Sequence, residues 1–426
     1  MFTILKKSAR DLLLLLQRYT RTDMVYLTRN GFWVMLSYII QISVGIITTV
    51  ALANLLPKET LGTYQFLLAV AAVLSVMTLS GMHQAVVRAV AQGNEGILRS
   101  GLRIKLKWNL WIVVASGLVA LYYFVSGNSD LGIAFLIVGT FAPFIEGFKL
   151  AHSFLIGKEA FKDTVTLGAW RKPLPFIAVL ATVFFTDNFL ILVFAYFVSH
   201  AISYIAVYLA VVRKYRPPYT EDAEAIHYSK QLSALRIAGT LSNNLEKILL
   251  WHFLGAAAVA SFAIAQFAIR YFGGALNTLT LQVLPKASRR DLPTLQQTLP
   301  RKVNLLTLLT AAGALLYILI APFVFPFIFP TYPESVVLSQ VLAIGLILIP
   351  RSVYAQVFTA HKQIRAQYIM GFGTPIVKSI LLVAGIQLYG IWGVVYALLL
   401  TDAVASVVIR YLFSTAAVPP PHEEQS

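Results

Sequence analysis

The stretch Ser229–Leu284 reads SKQLSALRIAGTLSNNLEKILLWHFLGAAAVASFAIAQFAIRYFGGALNTLTLQVL. It is two long apolar passes joined by Leu254-Gly255-Ala256-Ala257-Ala258. The first pass carries Arg236, Glu246 and Lys247, and the second carries Arg270 near its middle. A cation at membrane depth is costly unless it faces a protein interior or a water-filled cavity. The hairpin is therefore expected to line a wet space inside a membrane protein.

The rest of the chain fits that setting. Of 426 residues, 58% are hydrophobic and only 12% charged, and the mean hydropathy is +0.74. Apolar runs of about 20 residues recur throughout, the length that crosses a bilayer as a helix. Short alternating segments, the mark of a β-barrel, are missing. The fold class is an all-α polytopic membrane protein. The net charge of +16 reads as cytoplasmic loop charge rather than a nucleic-acid surface. With no cysteine, there is no disulfide or thiolate metal site. No phosphate loop, His-Glu-x-x-His or paired acidic metal motif is present, so neither a cofactor nor catalytic residues are expected.

Apolar length places about twelve spans, near residues 31–55, 60–82, 105–125, 131–155, 167–185, 189–212, 231–254, 258–283, 302–325, 335–358, 366–387 and 390–412. Their connections alternate in charge. Arg88, Arg99, Arg103 and Lys105 fall in one, Lys158, Lys162, Arg171 and Lys172 in another, and Arg213, Lys214, Arg216 and Lys230 in the central loop. Lys286, Arg289, Arg290, Arg301 and Lys302 follow, then Lys362 and Arg365, while the intervening connections are nearly bare. This puts every basic loop and both termini on the cytoplasmic side, N-in and C-in, as expected of a bacterial inner membrane protein. Residues 1–28 mix Lys6, Lys7, Arg10, Arg18 and Arg21 with Leu12–Leu16 and are expected to lie on that surface. Leu12–Leu16 is too short for a cleavable signal core.

The central loop, 213–229, divides the chain into six spans (29–212) and six more (230–413), with a tail at 414–426. An internal repeat accompanies the division. Leu56-Pro57-Lys58-Glu59-Thr60-Leu61-Gly62-Thr63-Tyr64 matches Leu254-Gly255-Ala256-Ala257-Ala258-Val259-Ala260-Ser261-Phe262 in register. Both halves begin on the same side, so an axis along the membrane normal relates them.

The segment Leu52 to Tyr64 resembles the first hairpin of the Wzx-type polysaccharide biosynthesis flippases, a branch of the multidrug/oligosaccharidyl-lipid/polysaccharide exporter superfamily. Ser80-Gly81-Met82-His83-Gln84-Ala85-Val86-Val87-Arg88 is similar to the segment that follows, and Leu254 to Phe262 to its second-half counterpart. Ala260-Ser261-Phe262 departs from the family's Gly-x-Tyr. The resemblance implies two six-helix lobes of the MATE-like architecture and a flippase for polyprenyl-pyrophosphate-linked oligosaccharide. It would work by alternating access through a cationic cavity between the lobes, with the bilayer and possible polymerase and chain-length machinery as partners. A cation-coupled multidrug antiporter of the same superfamily is the alternative. A membrane glycosyltransferase, polymerase or assembly scaffold is the alternative of another class.

Candidate site residues follow from helical spacing. Arg236, Thr240, Asn243 and Lys247 share one face of the first pass, and Gln266, Arg270 and Asn277 form a stripe on the second. Arg351 and Lys378 are further intramembrane cations. On the flippase reading Arg270, Arg236, Arg351, Lys378 and Lys247 would hold the pyrophosphate. Asn243, Gln266 and Asn277, with Tyr196, His200 and Tyr204, would line the cavity or meet the glycan. Glu246, Asp402, Glu146 and Lys149 are candidates for ion coupling or salt bridges. Lys378 and Asp402, on consecutive spans, are expected to pair, as are Glu146 and Lys149 at a spacing of three. The first hairpin's spans hold no Arg or Lys to correspond to Arg236, Lys247 and Arg270, which places the expected grip mainly in the second half.

Overall fold

A computed structural model describes residues 24–220, 222–281, 291–361 and 363–416. The expectations for residues 1–23, for the cations Lys286, Arg289, Arg290 and Lys362, and for the tail beyond 416 lie outside the described residues. Within them, seven helices are long and apolar enough to cross a bilayer. The bent pair Ala256–Ala265 and Ile269–Asn277, inclined at 50°, makes an eighth when counted as one span.

The elements run in chain order as α1 (Met24–Leu55), α2 (Lys58–Leu74), α3 (Met82–Ala91), α4 (Ile97–Val125), α5 (Ser129–Phe148) and α6 (Leu150–Gly157). Then come α7 (Phe161–Arg171), α8 (Pro173–Phe185), α9 (Phe189–Tyr215), α10 (Ala223–Leu254) and α11 (Ala256–Ala265). A π turn at Ile269–Gly273 leads into α12 (Gly274–Leu281). The remainder is α13 (Leu292–Ile328), α14 (Glu334–Ala343), a 3₁₀ stretch at Ile344–Ser352, α15 (Val353–Ala360), α16 (Ile364–Tyr368), a second π turn at Ile369–Gly373 and α17 (Thr374–Thr415).

Several helices run further than hydropathy suggests. α4 begins at Ile97 and α7 at Phe161, so Arg99, Arg103 and Lys162 are helical rather than in loops. α10 begins at Ala223, which shortens the expected central loop. α13 begins at Leu292 and takes in Arg301 and Lys302. Its start is fixed by Asp291, whose side chain accepts from the Thr294 amide at 3.0 Å and the Thr294 hydroxyl at 2.8 Å. Those two hydrogen bonds hold the Asp291 carboxyl below its ordinary range, as expected of an N-cap. α17 joins two expected spans without a loop. The break is Gly390, at φ 56° and ψ −131°, a conformation closed to residues with a Cβ.

Contacts divide the chain into two compact units. Unit 1 comprises the described chain up to Thr49 with Met77–Thr186 and Leu190–Ala234. Its core joins Met82, Val86, Ile97, Leu98, Leu150, Phe154 and Val211 from α3, α4, α6 and α9. Unit 2 comprises Val50–Val76, Asp187–Phe189 and the chain from Leu235. One of its cores gathers Leu250, Val259, Phe262, Leu342, Leu382 and Val394.

The repeated turns meet inside unit 2. α2 packs along α11, and Phe66 stacks on Trp251 with centroids 4.6 Å apart. Gly62 allows the approach: a Cβ there would lie 1.8 Å from the Ala256 carbonyl oxygen. Because that obstacle is backbone, nothing can rotate away. At the same end Lys58 pairs with Glu334 at 2.7 Å, and Ser261 donates to Glu334 at 2.6 Å. We expect Gly62→Val to destabilise the protein by about 1–3 kcal/mol, the usual cost of overpacking. The check is its melting temperature in detergent, and an unchanged value would refute this helix contact.

Candidate functional site

In unit 2 the site grows from the polar face of α10. Glu246 is buried, with 6% of its surface exposed. Its Oε1 accepts from Gln266 Nε2 at 3.0 Å, and its Oε2 lies 2.9 Å from Lys378 Nζ. One carboxylate thus engages a side chain at the end of α11 and a cation on α17. Lys378 meets Glu246, not the Asp402 expected from their consecutive spans. Asp402 is exposed and lies within electrostatic reach of both members of the pair. The Lys378 ammonium thus has the Glu246 carboxylate as its ion-pair partner.

One position further along α10, Lys247 Nζ donates to Gln65 Oε1 on α2 at 3.0 Å. Gln65 is the first hairpin's contribution to the cluster. Arg270 sits in the π turn, exposed, within electrostatic reach of Lys247. Arg236, Asn243 and Asn277 are also exposed. Arg351 is in the 3₁₀ stretch, which packs against the π turn of Arg270, and lies within electrostatic reach of Tyr354. Among the described residues no carboxylate lies at ion-pair distance from Arg236, Arg270 or Arg351.

Unit 1 holds a second polar cluster. Lys149 pairs with Glu146 as their spacing suggests. The same carboxylate is 3.8 Å from Lys105, whose side chain is wholly buried. Lys105 Nζ lies 2.7 Å from His83 Nε2. With the ammonium as donor, the imidazole proton rests on Nδ1, which faces Ser153 Oγ at 3.1 Å. On the other side Arg171 donates to the Tyr204 hydroxyl at 2.7 Å and lies 5.0 Å from that ring's centre. Lys149 lies 5.7 Å from the same ring. Tyr196 and His200 pack together at 4.1 Å. Tyr208, next on that face, turns into the core against Phe148.

Helical spacing alone does not single out Lys105, Arg171 or His83 as site residues. A signal for Lys105 existed. Lys105, Asn109 and Ser116 are spaced by four and seven, and all three are buried along one face of α4. A polar stripe that continues into an apolar run marks an interior face.

No curated protein matches the chain significantly. Among solved structures it is similar to an inward-facing multidrug resistance MATE family transporter of the MOP superfamily, at 15% identity and a TM-score of 0.65, over 87% of this chain and 93% of that one. It is also similar to the lipid II flippase MurJ in an inward closed conformation, at 14% identity and a TM-score of 0.67, over 91% and 87%. A MOP superfamily transporter from Pyrococcus furiosus matches at 15% identity and a TM-score of 0.62, over 91% and 94%. These likenesses establish the fold. The family model described as polysaccharide biosynthesis protein matches residues 27–289. The chain therefore has the fold of the MOP superfamily transporters and belongs to the polysaccharide biosynthesis protein family.

Proposed function

We propose that the protein flips a polyprenyl-pyrophosphate-linked oligosaccharide across the bacterial inner membrane, by alternating access, for surface polysaccharide synthesis. The observation that carries this reading is Arg270. It is exposed in a π turn of the bent apolar segment, within electrostatic reach of Lys247 and, among the described residues, without a carboxylate at ion-pair distance. Such a guanidinium calls for an anion, and its fork matches two phosphate oxygens. Family membership and the likeness to a lipid II flippase support the same substrate class. Arg236, Asn243, Gln266 and Asn277 complete the surface offered to the head group, and Arg351 serves it from the cytoplasmic side. Tyr196, His200 and Tyr204 are suited to a glycan. In this scheme both termini are cytoplasmic, and a polymerase with chain-length machinery takes the product. A multidrug antiporter of the same fold is the second reading: Glu246 and Glu146 are held by lysines, which leaves Asp402 as the exposed carboxylate it would use for cationic cargo.

Two outcomes test the assignment. Arg270→Ala should accumulate in the membrane normally yet abolish glycan export, with lipid-linked glycan trapped on the cytoplasmic leaflet of a deletion strain carrying the variant. Export at the wild-type level would overturn the reading. The second concerns Lys378 as a structural partner of Glu246. Removing one member of a buried pair costs about 3–5 kcal/mol, whereas replacing both is close to neutral. Glu246→Gln should therefore lower the melting temperature, and adding Lys378→Met should restore it together with export. A double variant that is stable but inactive would return Lys378 to the substrate site.

A further inference from the structure

One end of unit 2 holds a cavity that the cluster around Glu246 does not use. Several turns gather there. At the end of α1, Asn54 Nδ2 donates to the Ile328 carbonyl at 2.8 Å, and the Thr331 hydroxyl donates to the Ala53 carbonyl at 3.3 Å. The Ser335 hydroxyl on α14 donates to the Ser261 carbonyl on α11 at 2.9 Å. A Cβ on Gly390, at the break in α17, would lie 3.7 Å from the Leu254 side chain at the end of α10.

The cavity has a volume of about 580 Å³, within the range of small-molecule sites, roughly 300–1,000 Å³. Most of its lining is apolar, with Leu254, Val337, Ile391 and Trp392 prominent, and Lys58, Ser261 and Glu334 supply the polar groups. Trp392 is half-buried and stacks on Tyr396 with centroids 6.0 Å apart, which holds the indole in place. Lys58 at 2.7 Å and Ser261 at 2.6 Å both donate to Oε1 of Glu334. A carboxylate accepts on both oxygens, so Oε2 keeps capacity for hydroxyl donors. The Lys58 ammonium also lies 5.0 Å from the centre of the Tyr332 ring, a second anchor for its position. The Lys58 and Glu334 side chains remain 33% and 42% exposed, so a ligand can reach both.

This chemistry selects a class of ligand. Among the lining residues one ammonium balances one carboxylate, so the cavity offers no net charge to an ion. A lipid chain would cover the indole but would strip water from Glu334 and Lys58 without replacing its hydrogen bonds. A pyranose satisfies both parts. Its C–H face lies against an indole, and its hydroxyls donate to a carboxylate and accept from an ammonium.

We infer that this cavity is a carbohydrate site that takes one sugar unit, stacked on Trp392 and hydrogen-bonded to Glu334 and Lys58. With both termini cytoplasmic, these turns face the far side of the membrane, where a flipped glycan emerges. That place in transport rests on the flippase reading; the chemistry of the cavity does not.

The test is saturation-transfer difference NMR on the full-length protein in phosphatidylcholine nanodiscs. The probes are the methyl glycosides of a neutral hexose, an N-acetylhexosamine and a hexuronic acid. A neutral glycoside should bind, and Trp392→Ala and Glu334→Gln should each weaken it about tenfold. Trp392→Phe, which keeps an aromatic face, should fall between and serves if the alanine variant fails to fold. If no glycoside binds the wild type, or if the Trp392 variants and Glu334→Gln bind as tightly as it does, the carbohydrate site is overturned. Absence of glycoside binding, with a phospholipid retained by the wild type in native mass spectrometry and lost in Trp392→Ala, would assign the cavity to a lipid chain instead. The flippase reading survives those results, because export by Arg270→Ala decides it. Glycoside binding that depends on Trp392, alongside wild-type export by Arg270→Ala, would keep the carbohydrate site and overturn the flippase reading.

Discussion

A cation removed from water must be given something in return, and in this protein two carboxylates do most of that work. Glu246 holds Lys378 and accepts from Gln266, tying α10 to the end of α11 and to α17. Glu146 serves Lys149 and Lys105 and through Lys105 connects to His83 and Ser153. The two arrangements share a logic. Each carboxylate draws together helices that apolar packing alone would leave free to slide, because interhelical polar contacts set register where lipid-facing side chains do not. What these carboxylates leave unmatched is equally informative. Among the described residues, Arg270 in one unit and Arg171 in the other have no carboxylate at ion-pair distance.

The charged positions of unit 2 coincide with departures from α-helical geometry. Arg270 lies in the π turn Ile269–Gly273, Arg351 in the 3₁₀ stretch Ile344–Ser352, and Lys378 just beyond the π turn Ile369–Gly373. Local chemistry explains the irregularities. Pro375 has no amide hydrogen for the Gly371 carbonyl, and Pro350 has none for that of Leu346, so the regular ladder cannot continue through either. The first π turn ends at the pair Gly273-Gly274, where the helical preference is weakest. A change of helix type rotates the side chains beyond it relative to those before it. The irregular turns therefore aim polar side chains away from the faces that the apolar periodicity would have given them.

Much of this was legible in the chain itself. The turn at Leu254-Gly255, the polar face carrying Lys247 and the Glu146–Lys149 pair all follow from spacing, because they are local. The misplaced residues share one cause. Hydropathy trims a span at its charges, so Arg99, Arg103 and Lys162 read as loop residues although α4 and α7 begin before them. The partner of Lys378 was missed for a different reason. Asp402 is close along the chain, but only tertiary packing brings Glu246 to the ammonium. The packing of Val50–Val76 with the second unit is likewise a long-range fact. The matching of Leu56–Tyr64 with Leu254–Phe262 identified the two turns but gave no sign that they touch.

The turn at Gly390 bears on how the protein is made. α17 doubles back at Gly390 with Gln387 and Tyr389 as the polar residues of the turn, and the backbones of its arms meet at Gly385 and Gly393. A turn this short leaves no connecting loop, a geometry in which two arms can enter the bilayer as one unit. Lys378 and Asp402 stand twelve residues on either side of Gly390. Equal spacing from the turn gives the two charges similar depth, and in the folded protein Asp402 stays within electrostatic reach of Lys378.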